Sequence, residues 1–160
     1  MGLIKCAVFL CLNGICGFFL GRILPKRWFS PDAWLFRSRG FEHHGKIYEK
    51  LGIRIWHKRV PDMSRIFPAL MPPKNLTGDF SRRLPEMVRE TCVAELIHTL
   101  LSLTGLYCLR LWPGWGGVTV SAIHFLLLNL PFILIQRYER PRLIRLQAKM
   151  EEMKRSVPRL

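Results

Sequence analysis

Charge is missing from long parts of this chain. Residues 1–20 carry only Lys5, and residues 94–136 carry only Glu95 and Arg110. A soluble basic protein mixes its charged and apolar residues; segregation on this scale argues against a soluble fold. Acidic side chains are scarce too, with 11 Asp and Glu against 25 Lys and Arg in 160 residues, which leaves a net charge of +14. The five cysteines (Cys6, Cys11, Cys16, Cys92, Cys108) have neither metal-ligand spacing nor an even count. That argues against a disulfide framework, and they read as small hydrophobes. No repeat or low-complexity tract occurs. The first apolar stretch lacks an Ala-x-Ala site and a lipobox, and Gly2 lacks the Ser or Thr of a myristoylation signal, since position 6 is Cys6. Lys5 precedes this stretch, and Arg22, Lys26 and Arg27 follow it at once, an order that favours an uncleaved anchor over a signal peptide.

What is present is three apolar stretches, at residues 3–20, 93–112 and 118–136. Each has about the ~20 residues that a ~30 Å hydrocarbon core needs at 1.5 Å per residue. The basic residues lie between and after them. Residues 21–93 hold fifteen Lys or Arg against seven Asp or Glu, and residues 137–160 hold eight against three. The positive-inside rule places both regions in the cytoplasm, with the N-terminus and the short turn 113–117 outside. The expected fold is an all-α membrane protein forming a single membrane domain, 1–160. It comprises a first span (3–20), a basic and partly helical cytoplasmic interfacial region (21–92), a second span (93–112), a third span (118–136) and a basic cytoplasmic tail (137–160).

Local patterns fill in the rest. Gly17 and Gly21 form a GxxxG pair that allows close helix approach, read as simple packing ahead of a dimer motif. Residues 24–40 interleave Trp28, Phe29, Trp34, Leu35 and Phe36 with Lys26, Arg27, Arg37 and Arg39, which suits the headgroup layer; with apolar spans on both sides, a nucleic-acid surface is rejected. Ser30-Pro31-Asp32 reads as a helix start. Residues 41–51 read as a short helix or a turn followed by a helix, 52–60 as a strand-like alternation without a partner, and 61–85 as a proline-rich loop. A helix starting near Pro85 should continue into the second span. Residues 144–155 read as a polar, basic helix that can rest on anionic lipid.

The chemistry-bearing residues collect at one depth. Glu95 and His98 are three apart, so they share a helix face; Asn129, Gln136 and Arg140 share another. The short turn makes these helices antiparallel neighbours, so the groups meet at the cytoplasmic end. An ionisable group in a span costs up to ~3 kcal/mol at the helix centre, so a chain that keeps several at one level has a use for them. Pro131 can bend the helix near Asn129. A second cluster, Glu42, His43, His44 and Lys46, could fold back under the hairpin. Simpler readings stand beside these: Glu95 paired with Arg137 or Arg140 to lower its burial cost, His98 as a packed histidine, the arginines 137–145 as a positive-inside anchor. His124 reads as packing and His57 as interfacial.

At these residues the chain resembles the glycosyl-4,4'-diaponeurosporenoate acyltransferases, small membrane enzymes of carotenoid synthesis. The likeness rests on Phe41-Glu42-x-His44-Gly45-Lys46, Trp56-x-Lys58 with Asp62 following, Ala94-Glu95-Leu96-Ile97-His98, Asn129-x-Pro131, and Gln136-Arg137-Tyr138-x-Arg140-Pro141-Arg142-Leu143. The chain departs from the pattern around 112–115 and 68–73. The resemblance implies transfer of a fatty acyl group to a sugar hydroxyl of a glycosylated carotenoid. His98 and Glu95, with His44 and Glu42, are the expected catalytic residues. Asn129, Gln136, Arg137, Tyr138, Arg140, Arg142, Lys46, Trp56, Lys58 and Asp62 are the expected substrate-binding ones.

The residue chemistry suits that reaction. An imidazole with a pKa near ~6.5, oriented by a carboxylate, can take the acceptor's proton; His98 paired with Glu95 is the first candidate for this base and His44 the second. Asn129, Gln136 or an arginine can donate to the oxyanion. Arg137, Arg140 and Arg142 can hold the phosphates of an acyl-CoA co-substrate. No metal or cofactor is expected; the expected partners are membrane lipid, an acyl donor and a hydrophobic glycosylated acceptor. Three helices bury little area between them, which leaves room for a homo-oligomer. Two further classes remain open. One is another membrane enzyme, with a metal on Glu42, His44, Glu95 and His98 or a methyl donor on the C-terminal arginines. The other is a non-enzymatic lipid-binding partner.

Overall fold

Backbone polar groups in lipid must be satisfied within the chain, and helices do this segment by segment. The computed structural model describes residues 1–57 and 80–156, except for the side chains of His44, Phe80 and Ser81. Its α-helices are α1 (Gly2–Ile23), α2 (Lys46–Lys50), α3 (Ile53–Trp56), α4 (Phe80–Gly105), α5 (Cys108–Leu111), α6 (Trp115–Ile123) and α7 (Leu130–Ser156). A π-helical segment, His124–Asn129, joins α6 to α7. Three helices, Gly2–Ile23, Arg82–Leu111 and Trp115–Ser156, are long and apolar enough to cross a membrane. No strand occurs among the described residues.

The third span, which the sequence ends at 136, and the basic helix expected at 144–155 form one continuous helix through α7, Leu130–Ser156. Pro141 removes the hydrogen bond to the Arg137 carbonyl. The helix continues regardless, because Tyr138, Arg140 and Pro141 are all buried against neighbouring elements. Likewise α4 is already helical at Phe80, before Pro85.

Two other expectations fail for tertiary reasons. Residues 53–56 are helical, not strand-like. Gly52 adopts φ +68° and breaks the extended run; Ile53 then packs with Tyr48 and Tyr138. With no neighbouring strand to pair with, a local helix satisfies this backbone. After Ser30-Pro31 the chain forms successive turns rather than a helix. The Ser30 hydroxyl does accept the Asp32 N–H, at 3.3 Å. But the carbonyls of Leu35 and Phe36, which a growing helix would use, accept hydrogen bonds from Arg137 and Arg140 at 2.9 and 2.7 Å.

The second and third spans are antiparallel, in a register the contacts define. Arg140 meets Thr91 and Glu95, His98 meets Asn129 and Phe132, and the Ser121 hydroxyl donates to the Gly105 carbonyl. The first span lies against α4 through its glycines. A Cβ on Gly17 would come within 2.9 Å of Leu101, and one on Gly21 within 3.3 Å of Ile97. The GxxxG pair thus serves packing inside the chain. Asn13 completes this contact by donating to the Thr104 hydroxyl at 2.8 Å.

Candidate functional site

The segment after α1 turns back under the helical hairpin, and Glu42 is its anchor. Glu42 sits in the 3-10 turn Gly40–Gly45, where its carboxylate accepts the Arg39 N–H at 3.1 Å. Gly45 closes the turn at φ +90°, and a Cβ there would lie 3.2 Å from the Tyr138 carbonyl oxygen. A left-handed backbone and a close approach to α7 both call for glycine at this point. Glu42 also accepts from the Tyr48 hydroxyl at 3.0 Å and is ion-paired with Arg137. Burial pushes Glu42 up, but the Arg39 amide, the Tyr48 hydroxyl and the Arg137 guanidinium outweigh it and hold the carboxyl below the usual range. Burial first, then the hydrogen bond to Glu42 and the Glu42 charge, push the Tyr48 phenol up to about 12.

Arg137 connects this turn to the spans. Its Nε donates to Glu95 at 2.8 Å, and Glu95 also pairs with Arg140 at 2.5 Å. Arg140 is 3% exposed and donates further to the Thr91 hydroxyl and carbonyl, at 2.8 and 3.1 Å. Two carboxylates and two guanidiniums therefore form a chain in the order Glu42, Arg137, Glu95, Arg140. The four charges cancel. That matters because an unpaired charge at this burial costs several kcal/mol, while a pair with all its hydrogen bonds made can offset the desolvation.

His98 lies one turn beyond Glu95, and its hydrogen-bond partner is an amide, not a carboxylate. Its Nδ1 is 3.0 Å from the Asn129 Oδ1. The Asn129 amide is oriented by its other end: Nδ2 donates to the His124 carbonyl at 2.9 Å, a group that only accepts. So Oδ1 faces His98, and Nδ1 of that imidazole must carry the proton. In the neutral ring this leaves the lone pair on Nε2. The ring also stacks on Phe132, with centroids 4.5 Å apart and planes at 5°. Asn129 is 2% exposed, so neither contact is loose.

The backbone that aims Asn129 is the π segment. His124 and Asn129 are five apart, the spacing of a π turn, and Pro131 just beyond cannot supply an N–H to the Leu127 carbonyl. Near Pro131, where the sequence predicts a bend, the helix carries this π segment. Gly105 makes room opposite, since a Cβ there would collide with the His124 ring. His124 reads from the sequence as packing; in the structure its carbonyl is also the support for Asn129. The five-residue spacing before a proline is the signal that could have marked it.

The remaining candidates separate. Gln136 is half-buried at i+4 from Phe132, on the face that carries His98's stacking partner, and its amide has no hydrogen bond among the described residues. Tyr138 is 1% exposed in a cluster with Tyr48 and Ile53, against which Trp56 packs. Trp56 donates its indole N–H to the Leu51 carbonyl at 3.0 Å. Arg142 hydrogen-bonds the Tyr138 hydroxyl and lies over that ring at 4.7 Å. Lys46 is exposed at the start of α2. Lys58, Asp62 and the side chain of His44 lie outside the described residues. Among the described residues no three His, Cys, Asp or Glu side chains converge as a metal site would require.

Comparison with known proteins covers most of this framework. The family model described as glycosyl-4,4'-diaponeurosporenoate acyltransferase matches residues 25–149. Enzymes of that name from Staphylococcus aureus are similar over 79% of this chain and 76% of their own length. The protein of strain bovine RF122 / ET3-1 is 30% identical over 128 residues, that of strain USA300 29% over 128, and that of strain N315 30% over 131. No solved structure matches the chain.

Proposed function

Because the chain belongs to the glycosyl-4,4'-diaponeurosporenoate acyltransferase family and is therefore an acyltransferase, we propose that it carries a fatty acyl group from acyl-CoA to a sugar hydroxyl of a glycosylated carotenoid-type lipid. The hydrogen bond between His98 and Asn129 carries the mechanistic half of this reading. It presents Nε2 as the basic atom of an imidazole whose orientation is fixed on two sides.

The acceptor O–H gives its proton to His98 Nε2 as its oxygen attacks the thioester carbonyl. The new C–O bond forms, and the oxyanion accepts a hydrogen bond from the free amide of Gln136. Collapse breaks the C–S bond, and the CoA thiolate leaves with the proton returned by His98. Asn129 stabilises the imidazolium between these steps, as an amide can without titrating itself. Glu95 has a different part. It holds Arg137 and Arg140, and with them the Glu42 turn, against the spans. The acyl chain and the apolar body of the acceptor lie among the spans. The basic end of the bundle faces the cytoplasm, and the N-terminus and the 113–117 turn lie outside.

Purified protein in detergent, given acyl-CoA and a glycosylated carotenoid acid, is expected to form a product heavier by one fatty acyl unit by mass spectrometry. His98→Ala is expected to lower the rate by roughly 10²–10⁴ without loss of protein. No product from well-folded protein, or full activity in the His98 variant, overturns the reading.

A further inference from the structure

A cleft of about 490 Å³ opens between the turns at Pro31–Ser38 and the Pro141–Arg145 stretch of α7. That is the size of a small-ligand site. Glu42, Arg137 and Arg140 line it but are already paired. Arg37 and Arg145 also line it; both are exposed, and neither has an acidic partner among the described residues. Asp32 is the remaining acid in the lining. The Ser38 hydroxyl, in the same lining, is buried without a hydrogen-bond partner. A buried donor with nothing to bond, sharing a lining with two guanidiniums that have no acidic partner among the described residues, suits an anion with several acceptor oxygens.

We infer that this cleft takes the phosphates of a pantetheine-linked acyl donor, with Arg37 and Arg145 supplying the cations and Ser38 a hydroxyl donor. The inference rests on the acyl-CoA reading above and moves the phosphate site off Arg137, Arg140 and Arg142. Those three are committed to Glu42, Glu95 and Tyr138.

Distance selects the kind of donor. Phe132, stacked on His98, lies eight residues from Arg140 and thirteen from Arg145. Along a helix that is roughly 12 to 20 Å. The reacting carbonyl must therefore sit that far from the phosphates. In a phospholipid the ester is only a few bonds from the phosphate and cannot bridge the gap. A pantetheine arm separates its phosphate from the acyl sulfur by a long extended linker and can.

The test is equilibrium binding of coenzyme A to the full-length protein in detergent, paired with transfer kinetics. Wild type should bind coenzyme A. Arg37→Gln and Arg145→Gln should each weaken it about tenfold, as expected for lost charge-assisted hydrogen bonds. Both variants should raise KM for acyl-CoA with kcat little changed, and leave turnover of an acyl N-acetylcysteamine thioester, which has no phosphate, as in wild type. Absence of coenzyme A binding by wild type, or undiminished binding by the double variant, overturns the inference. So does transfer from a phospholipid with release of its lyso form. If coenzyme A binds through Arg37 and Arg145 but no glycosylated lipid is acylated, the cleft assignment stands and the proposed acceptor falls.

Discussion

Replacing Glu95 by Gln removes one negative charge and hardly changes the side chain's volume. In the structure that charge faces two guanidiniums, Arg137 at 2.8 Å and Arg140 at 2.5 Å. Arg137 keeps Glu42 as a partner. Arg140 keeps only neutral acceptors, the Thr91 hydroxyl and carbonyl and the Phe36 carbonyl. Removing one partner of a buried ion pair costs about 3–5 kcal/mol, because the other charge stays buried. The amide oxygen can still accept one hydrogen bond, so the lower end, ~3 kcal/mol, is expected. At about 2–4 °C per kcal/mol for a chain of this size, the midpoint should fall by roughly 6–12 °C. Thiol reactivity during heating in detergent measures this. The buried thiols Cys6, Cys92 and Cys108, all 0% exposed, report loss of helix packing, with Cys92 about one turn before Glu95. Arg140→Gln should fall comparably. If Glu95→Gln unfolds at the wild-type temperature yet abolishes transfer, Glu95 works on the reacting atoms and the structural reading of the ion-pair chain is wrong.

Asn129→Leu should reduce transfer by about tenfold or more, leaving His98 in place but without a fixed tautomer. Asn129→Asp should instead move the acidic limb of the pH–rate profile upward, since a carboxylate beside the imidazole favours its protonated form and the base acts only when neutral; identical profiles would show that the two side chains do not interact. Tyr48→Phe removes one of the hydrogen bonds that hold Glu42 below the usual range, for about 1 kcal/mol at pH 7. A depressed carboxylate contributes stability above its unfolded pKa and loses it as pH falls through the folded value. The difference in melting temperature between Tyr48→Phe and wild type should therefore shrink on acidification below about pH 4.3. Gly45→Ala should cost about 1–2 kcal/mol through its left-handed backbone, and more if α7 cannot give way at Tyr138; an unchanged midpoint in the same thermal assay would contradict the close approach described here.

Some of this architecture was legible in the sequence, because charge patterning is one-dimensional information. A stretch of ~20 residues without charges must be a helix in lipid, and a short turn between two such stretches makes them antiparallel. From that alone, Glu95 and His98 had to meet the level of residues 129–140. The carbonyl pairings that keep residues 30–36 in turns depend on arginines more than a hundred positions away, and the packing of Ile53 depends on Tyr138, 85 positions on. No local pattern encodes them. The same holds for His124, whose role depends on a π turn and on the missing side chain at Gly105 across the helix pair.

The amino-acid sequence by itself determined three spans, a basic end and the set of polar residues drawn to it, since the cost of burying charge acts on every residue wherever its neighbours lie. Which carboxylate pairs with which cation was decided only in three dimensions. Glu95 and His98 share a helix face at a separation suited to contact, yet the arginines of α7 outcompete the imidazole for the carboxylate, being permanently charged and able to fork. His98 is left to an amide that a widened helical turn delivers. Helical spacing brings side chains within reach of several partners, and the geometry of the facing helix selects among them.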